Sequence, residues 1–362
     1  MTEEPNKTES SQQVEEQRID QQMSPNGGRW QQKGPATSGR KVAEGAMLVA
    51  LAVVLGLLAF YLPVFSIVAV FLWPIPIAVL IKKHGFSFGV LGLIIVGLLL
   101  ALFMGPVSAF FLLLNMGGVG LWYGYAARKD TNPGKTLFVG VVIAALSVIA
   151  TTLLSAQIIG VSLSSLANEV KEMTAQAVQM YENAGVLDAL SGGMTVEEFT
   201  AEMQEMMLTL LPAVLVISAM LEAWISYLAT NGMLRRLGFA VKHLPRFSEW
   251  HLPWASLWGL IIALAAQIAY YALDVEWLKT IAMNLLYIYI PILAAAGLSL
   301  VFWFSARRQS SFLKILIIIG IFLFPAFVLY LLLMMGLIDC IADIRKWIDK
   351  MEQQMKQGGP KQ

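Results

Sequence analysis

The sequence is short of charge. Asp, Glu, Lys and Arg make up 14% of its 362 residues, where soluble domains carry about 25%. Hydrophobic residues reach 57% and the mean hydropathy is +0.68, so the chain cannot cover itself with a hydrated surface and a soluble domain is excluded. Cysteine is nearly absent: Cys340 alone rules out an internal disulfide, a CxxC redox pair and a thiolate zinc cluster. The three histidines, His84, His243 and His251, all flank basic loops, so no metal site and no other cofactor is expected. A formal net charge of +1, with no basic patch interleaved with aromatics, argues against nucleic acid. No Walker, GxSxG or HExxH pattern is present. Asn132-Pro133-Gly134-Lys135-Thr136 ends like a phosphate-binding loop, but Lys129 stands where its first glycine belongs and no strand precedes it.

What is there is a series of long apolar runs. A helix needs about 20 residues to cross a ~30 Å hydrocarbon core, and runs of that length lie near 43–60, 64–81, 86–104, 107–127, 136–160, 207–229, 254–273, 278–304 and 312–337. They are continuous, without the period-two alternation of a barrel strand, and hydrophobic all round, as helices in lipid are. The fold class is therefore all-α: a polytopic transmembrane bundle of eight to nine spans over 42–337, with the lipid bilayer as its partner. Residues 1–41, rich in Gln, Glu, Ser, Pro and Gly, read as a disordered cytoplasmic tail and lack the apolar h-region of a signal peptide.

Basic residues set the orientation. With the tail inside, the internal loops carry Lys82, Lys83, Arg128, Lys129, Lys135, Arg235, Arg236, Lys242, Arg246, Arg307, Arg308 and Lys314, and the other side only Lys171 and Lys279. That is the positive-inside pattern of a bacterial cytoplasmic membrane protein. One conflict stands: nine crossings put Arg345, Lys346 and Lys350 outside. Taking 312–337 as one crossing, despite Pro325, leaves the side of the 338–362 tail open. That tail reads as an amphipathic helix with Ile341, Ile344, Trp347, Ile348 and Met351 on one face.

Residues 161–206 form an acidic outer loop. Leu163, Leu166, Val170, Met173, Ala177 and Met180 recur at helical spacing, Asp188–Gly193 break the helix, and Thr195 with Glu198 makes a capping box that opens the next span. The arrangement is a helical hairpin: a lid, a docking element or simply a solvated cover. Pro74 and Pro76, and Gly117, Gly118 and Gly120, are expected to interrupt the second and fourth spans. Glu222 is the one acid deep in an apolar span, where an ionisable group marks a pathway or a buried partner. Asn115, Gln157, Gln267 and Asn284 from other spans are candidates to complete a ligand pocket with it, beside Trp224 and Tyr227. Ala46 and Ala50 give the first span a small-xxx-small face for a partner helix.

The stretch Leu244-Pro245-Arg246-Phe247-Ser248-Glu249-Trp250-His251-Leu252-Pro253 follows Arg235-Arg236-Leu237-Gly238. With Gly336-Leu337-Ile338-Asp339 and Asp343-Ile344-Arg345, it resembles the YybS-like family of uncharacterised bacterial membrane proteins over about residues 42 to 350. The first six spans also resemble the substrate-binding subunit of energy-coupling-factor vitamin transporters. That resemblance implies separate membrane or ATPase subunits as partners, met through Ala46 and Ala50. The expectation is a binding or transport-type component lacking its own ATPase, its ligand unnamed. The alternative is a scaffold for envelope assembly. No paired acids or His–acid constellation appears, so an enzyme is the least favoured reading.

Overall fold

The computed structural model describes residues 38–158, 163–307 and 312–357. The tail expected over 1–41 lies outside the described residues as far as residue 37, as do 358–362 of the C-terminal tail. The helices are α1 (Ser38–Tyr61), α2 (Pro63–Leu72), α3 (Pro74–His84), α4 (Phe86–Met104), α5 (Pro106–Arg128), α6 (Pro133–Ile158), α7 (Leu163–Asn183), α8 (Leu187–Ser191), α9 (Val196–Arg236), α10 (Leu257–Leu273), α11 (Glu276–Arg307), α12 (Phe312–Leu323), α13 (Pro325–Ala342) and α14 (Ile344–Gln357). Among the described residues nine helical segments are long and apolar enough to cross a membrane, and none is a strand.

Proline and glycine place the boundaries. Pro63, Pro74, Pro106 and Pro325 open their helices, where the missing N–H costs nothing. Gly85 (φ 108°) and Gly105 (φ 85°) turn the chain between spans through dihedrals that L side chains rarely adopt. Asn132 Oδ1 accepts from the N–H groups of Gly134 and Lys135, so the loop-like GKT segment is the N-terminal cap of α6. Trp73, fully buried between α2 and α3, keeps helical dihedrals, and these two helices form one candidate span with a bend at Pro74.

The fourth span departs from expectation. Gly117, Gly118 and Gly120 do not interrupt it: α5 runs unbroken from Pro106 to Arg128. These glycines serve close packing instead. A Cβ at Gly120 would lie 3.3 Å from the Pro74 carbonyl oxygen, and one at Gly124 2.9 Å from Ala78 Cα. Lipid gives helices little hydrophobic reason to associate, so small residues that let backbones approach carry the contact.

The run 312–337 is a second correction. It is two helices broken at Phe324 (φ −140°, ψ 64°), because Pro325 pushes the preceding residue out of the helical region. The chain folds back there: a Cβ at Gly320 would sit 2.7 Å from Val328 Cγ2, and Leu313 and Ile317 pack against Val301, Val328 and Leu332. A continuous helix would hold Leu313 and Leu332 about 28 Å apart. The expected boundary at 338 also moves, because α13 continues through Ala342 and ends in a left-handed turn at Asp343 (φ 46°). Ile341 thus belongs to α13, and the amphipathic helix begins at Ile344. Arg307 at the end of α11 holds Asp349 (2.6 Å) and Glu352 (2.5 Å) of α14. The C-terminal cations therefore lie at the same end of the bundle as Arg307, and the charge conflict at the tail disappears.

α7 packs against α9. Thr195 Oγ1 accepts from Glu198 N–H, and Glu198 Oε2 accepts from Thr195 N–H; this box starts α9, which runs on as one 41-residue helix. The face of α7 that packs is centred on Thr174 and Val178, while Met173 and Met180 are exposed. The side chains of Leu163 and Leu166 lie outside the described residues.

Candidate functional site

Glu222 sits on α9 between Ala219 and Ala223, both fully buried. These alanines let α9 approach α5 and α6 around Val119, Tyr123, Ala144 and Tyr227. Tyr123 donates its hydroxyl to the Ala223 carbonyl at 2.6 Å and meets Tyr227 edge-on at 5.7 Å. Glu222 Oε1 is buried with no hydrogen-bond partner among the described residues, and so are Trp224 Nε1 and Thr230 Oγ1. An unpaired carboxyl oxygen at this depth is expensive, and Tyr123 lies close to it. A cavity of about 20 Å³, lined by Tyr123, Tyr227, Asn231 and Thr136, has room for one water and opens toward the Arg128 and Arg235 ends of α5 and α9.

The other four predicted pocket residues are not gathered around Glu222. Asn284 on α11 is spoken for: its Oδ1 accepts from Ala213 N–H at 2.7 Å, and its Nδ2 donates to the carbonyls of Thr209 and Thr280, each at 2.7 Å. In a regular helix Ala213 N–H would bond Thr209 C=O. Next to Pro212 the Asn284 amide is inserted into that broken ladder and satisfies both ends. Ala213 is ~14 Å of helix from Glu222. Asn115 lies on α5 about two turns before Tyr123, its Oδ1 buried without a partner among the described residues. Gln157 is exposed at the end of α6. Gln267 is on α10, which packs on α11, and its buried Oε1 has no partner among the described residues. Ala46 and Ala50 are exposed on α1, while Val49, Ala52 and Val53 face the bundle.

Sequence reasoning missed a second polar centre. Arg345, at the start of α14, is 8% exposed and Asp339 is 6% exposed; the two pair at 3.1 Å. Arg345 Nη1 also donates to the Ser248 carbonyl (2.6 Å), and Nη2 reaches Ser299 Oγ (3.0 Å). Fully buried Ser299 in turn bonds the carbonyls of Phe247 (2.7 Å) and Trp250 (2.6 Å). The 244–253 loop is non-helical and needs partners for its backbone carbonyls; α11 and α14 supply them. Ser299 lies ~12 Å along α11 from Arg307, so this loop enters the bundle rather than resting on its end. Beside it, Gly297 and Gly336 let α11 and α13 pack backbone to backbone: a side chain at either would strike the carbonyl of Leu332 or Leu293. Trp250 meets Trp224 at 6.3 Å, which brings this centre against α9. Outside the spans, Asp343 bonds Lys346, and that bond holds its carboxyl below the ordinary carboxylate range.

The three segments that meet here, 244–253, 336–339 and 343–345, are remote in sequence. Their unusual residue content was visible, but no local periodicity signals that they converge.

A bundle of apolar helices of spanning length, with buried polar centres and an acidic hairpin at one end, is a multi-pass membrane protein. The chain belongs to the family described as "Predicted membrane protein (DUF2232)", which matches residues 50–340. It is 23% identical over 273 residues to "Uncharacterized protein YybS" of Bacillus subtilis (strain 168), covering 75% of this chain and 86% of that one. No solved structure matches.

Proposed function

We propose that this protein is a small-molecule binding or transport-type component of the bacterial cytoplasmic membrane, with its basic end cytoplasmic and Glu222 at its ligand site. The observation that carries the reading is the buried Glu222 carboxyl oxygen, without a partner among the described residues, close to Tyr123. Unpaired intramembrane acids are costly unless a ligand, ion or proton uses them. The chain carries no nucleotide-binding motif, so separate ATPase or membrane subunits supply any energy, in the manner of energy-coupling-factor transporters. The exposed Ala46–Ala50 face of α1 supports a docked partner helix there. The positive-inside distribution supports the orientation.

A second reading, a scaffold for envelope assembly, draws on the acidic hairpin, whose Met173, Met180, Leu190 and Met194 are exposed. Purification in mild detergent followed by mass spectrometry separates the two. The first expects a retained small molecule that Glu222→Gln loses at unchanged expression, together with co-eluting ATPase subunits. Co-eluting wall or division proteins support the scaffold instead. Retention of the molecule by Glu222→Gln removes the charge-dependent role, and loss of expression in both Gln and Ala variants makes Glu222 a packing residue.

A further inference from the structure

Three loops separated in sequence meet at the basic end of the bundle. Lys82 at the end of α3 donates to the Ala127 carbonyl (2.6 Å) and pairs with Asp130 (3.5 Å). Arg128 donates back to the Ile81 carbonyl (3.2 Å). Beyond α9, the chain returns over these ends and buries Val241 against Val79 and Leu234. The result is a groove of about 810 Å³ whose wall carries Arg235, Lys242 and His243, with Asp130 the acid in its lining. The side chains of Arg235, Lys242 and His243 make no hydrogen bond or ion pair with the described residues. The three basic residues share one segment of the sequence; folding closes that segment into a concave surface and brings Asp130 from another loop to its lining.

Loop cations explained by membrane orientation alone need no groove and no common focus. Here an arginine, a lysine and a histidine line one groove, and an arginine fork matches the paired oxygens of a phosphate. The groove lies across the ends of spanning helices, where headgroups are. Met233 and Leu237 at the end of α9 are exposed and offer apolar surface for the chains below a headgroup. Basic pockets between spanning helices bind anionic headgroups in this way. We propose that this groove is a binding site for a phosphate-bearing anionic headgroup, with the anionic lipid of the surrounding membrane as its source. Asp130 opposes the ligand and keeps its affinity moderate.

The test is native mass spectrometry of the full-length protein in mild detergent, titrated with phosphatidylglycerol, phosphatidylcholine or soluble glycerol phosphate. Phosphatidylglycerol is expected to bind at least about tenfold tighter than phosphatidylcholine. Arg235→Ala and Lys242→Ala should each weaken it about fivefold. Asp130→Asn, which tolerates the left-handed dihedrals at that position (φ 49°), should tighten it by a similar factor; this gain cannot come from misfolding. Lys314→Ala/Lys350→Ala, which removes two cations outside the groove, should change it less than twofold. Equal binding of the two lipids, an unchanged Asp130→Asn, or an equal loss in the Lys314/Lys350 control overturns the site. Glycerol phosphate binding as tightly as the lipid overturns the lipid source and assigns the groove to a soluble phosphate compound.

Discussion

Arg345→Met tests how the C-terminal segment is held. The substitution keeps side-chain length and removes the charge, leaving Asp339 buried (side chain 3% exposed) with neither carboxyl oxygen bonded to a cation. Breaking one side of a buried pair costs about 3–5 kcal/mol. The Ser248 carbonyl and Ser299 hydroxyl also each lose a partner, at about 1 kcal/mol apiece. Taking the partners lost by Ser248 and Ser299 as part of the cost of breaking the pair, a loss of ~4 kcal/mol corresponds to roughly a thousandfold in the local opening equilibrium. The protein supplies its own reporter: Cys340, its sole cysteine, is buried next to Asp339 and lies 3.8 Å from Ser256 Oγ. Its thiol reacts only when this region opens. Arg345→Met should therefore accelerate labelling of Cys340 in the native state by up to about three orders of magnitude, normalised to the denatured rate. Asp339→Leu/Arg345→Met, which replaces the pair by apolar groups, should recover most of the loss, with a coupling of at least ~2 kcal/mol. If the two single changes simply add, or if Arg345→Met leaves Cys340 as protected as before, the pair is not what holds α14 and the 244–253 loop together.

Three further outcomes follow from the packing and topology. Gly297→Ala should lower the yield of monodisperse protein and cost at least ~2 kcal/mol, because its methyl meets the Leu332 backbone, which cannot rotate away; Gly232→Ala, with nothing within 4 Å, should fold as wild type. Asn284→Ala should raise hydrogen exchange at Ala213 and destabilise by about 2–3 kcal/mol, since three hydrogen bonds end on that amide; unchanged exchange at Ala213 would show that water replaces it. For orientation, cysteine probes in a Cys340→Ser background should be labelled in whole cells at exposed Asp188 but not at exposed Glu249; Ser191, 4% exposed, is too buried to serve, and the reverse pattern would invert the topology.

The sequence alone determined that this is an all-helical membrane bundle, because span length and uninterrupted hydrophobicity are local properties fixed by the thickness of lipid. It likewise determined the capping box at Thr195 and Glu198, whose chemistry acts over one turn. Glu222 stood out for the same reason, as a lone acid among apolar neighbours. Tertiary structure decided what sequence could not order in space. Pro325 is compatible with a kink or a reversal, and only the packing of Leu313 and Ile317 against Val301, Val328 and Leu332 selects the reversal. Asn284 looked like a pocket residue until the Ala213 N–H and Thr209 carbonyl beside Pro212 on another helix claimed its amide. Arg345 looked like a misplaced surface cation until Asp339, Ser299 and the 244–253 carbonyls surrounded it. Each of these depends on a partner tens of residues away, and the hydropathy of a single segment carries no information about which distant polar group will arrive to satisfy it.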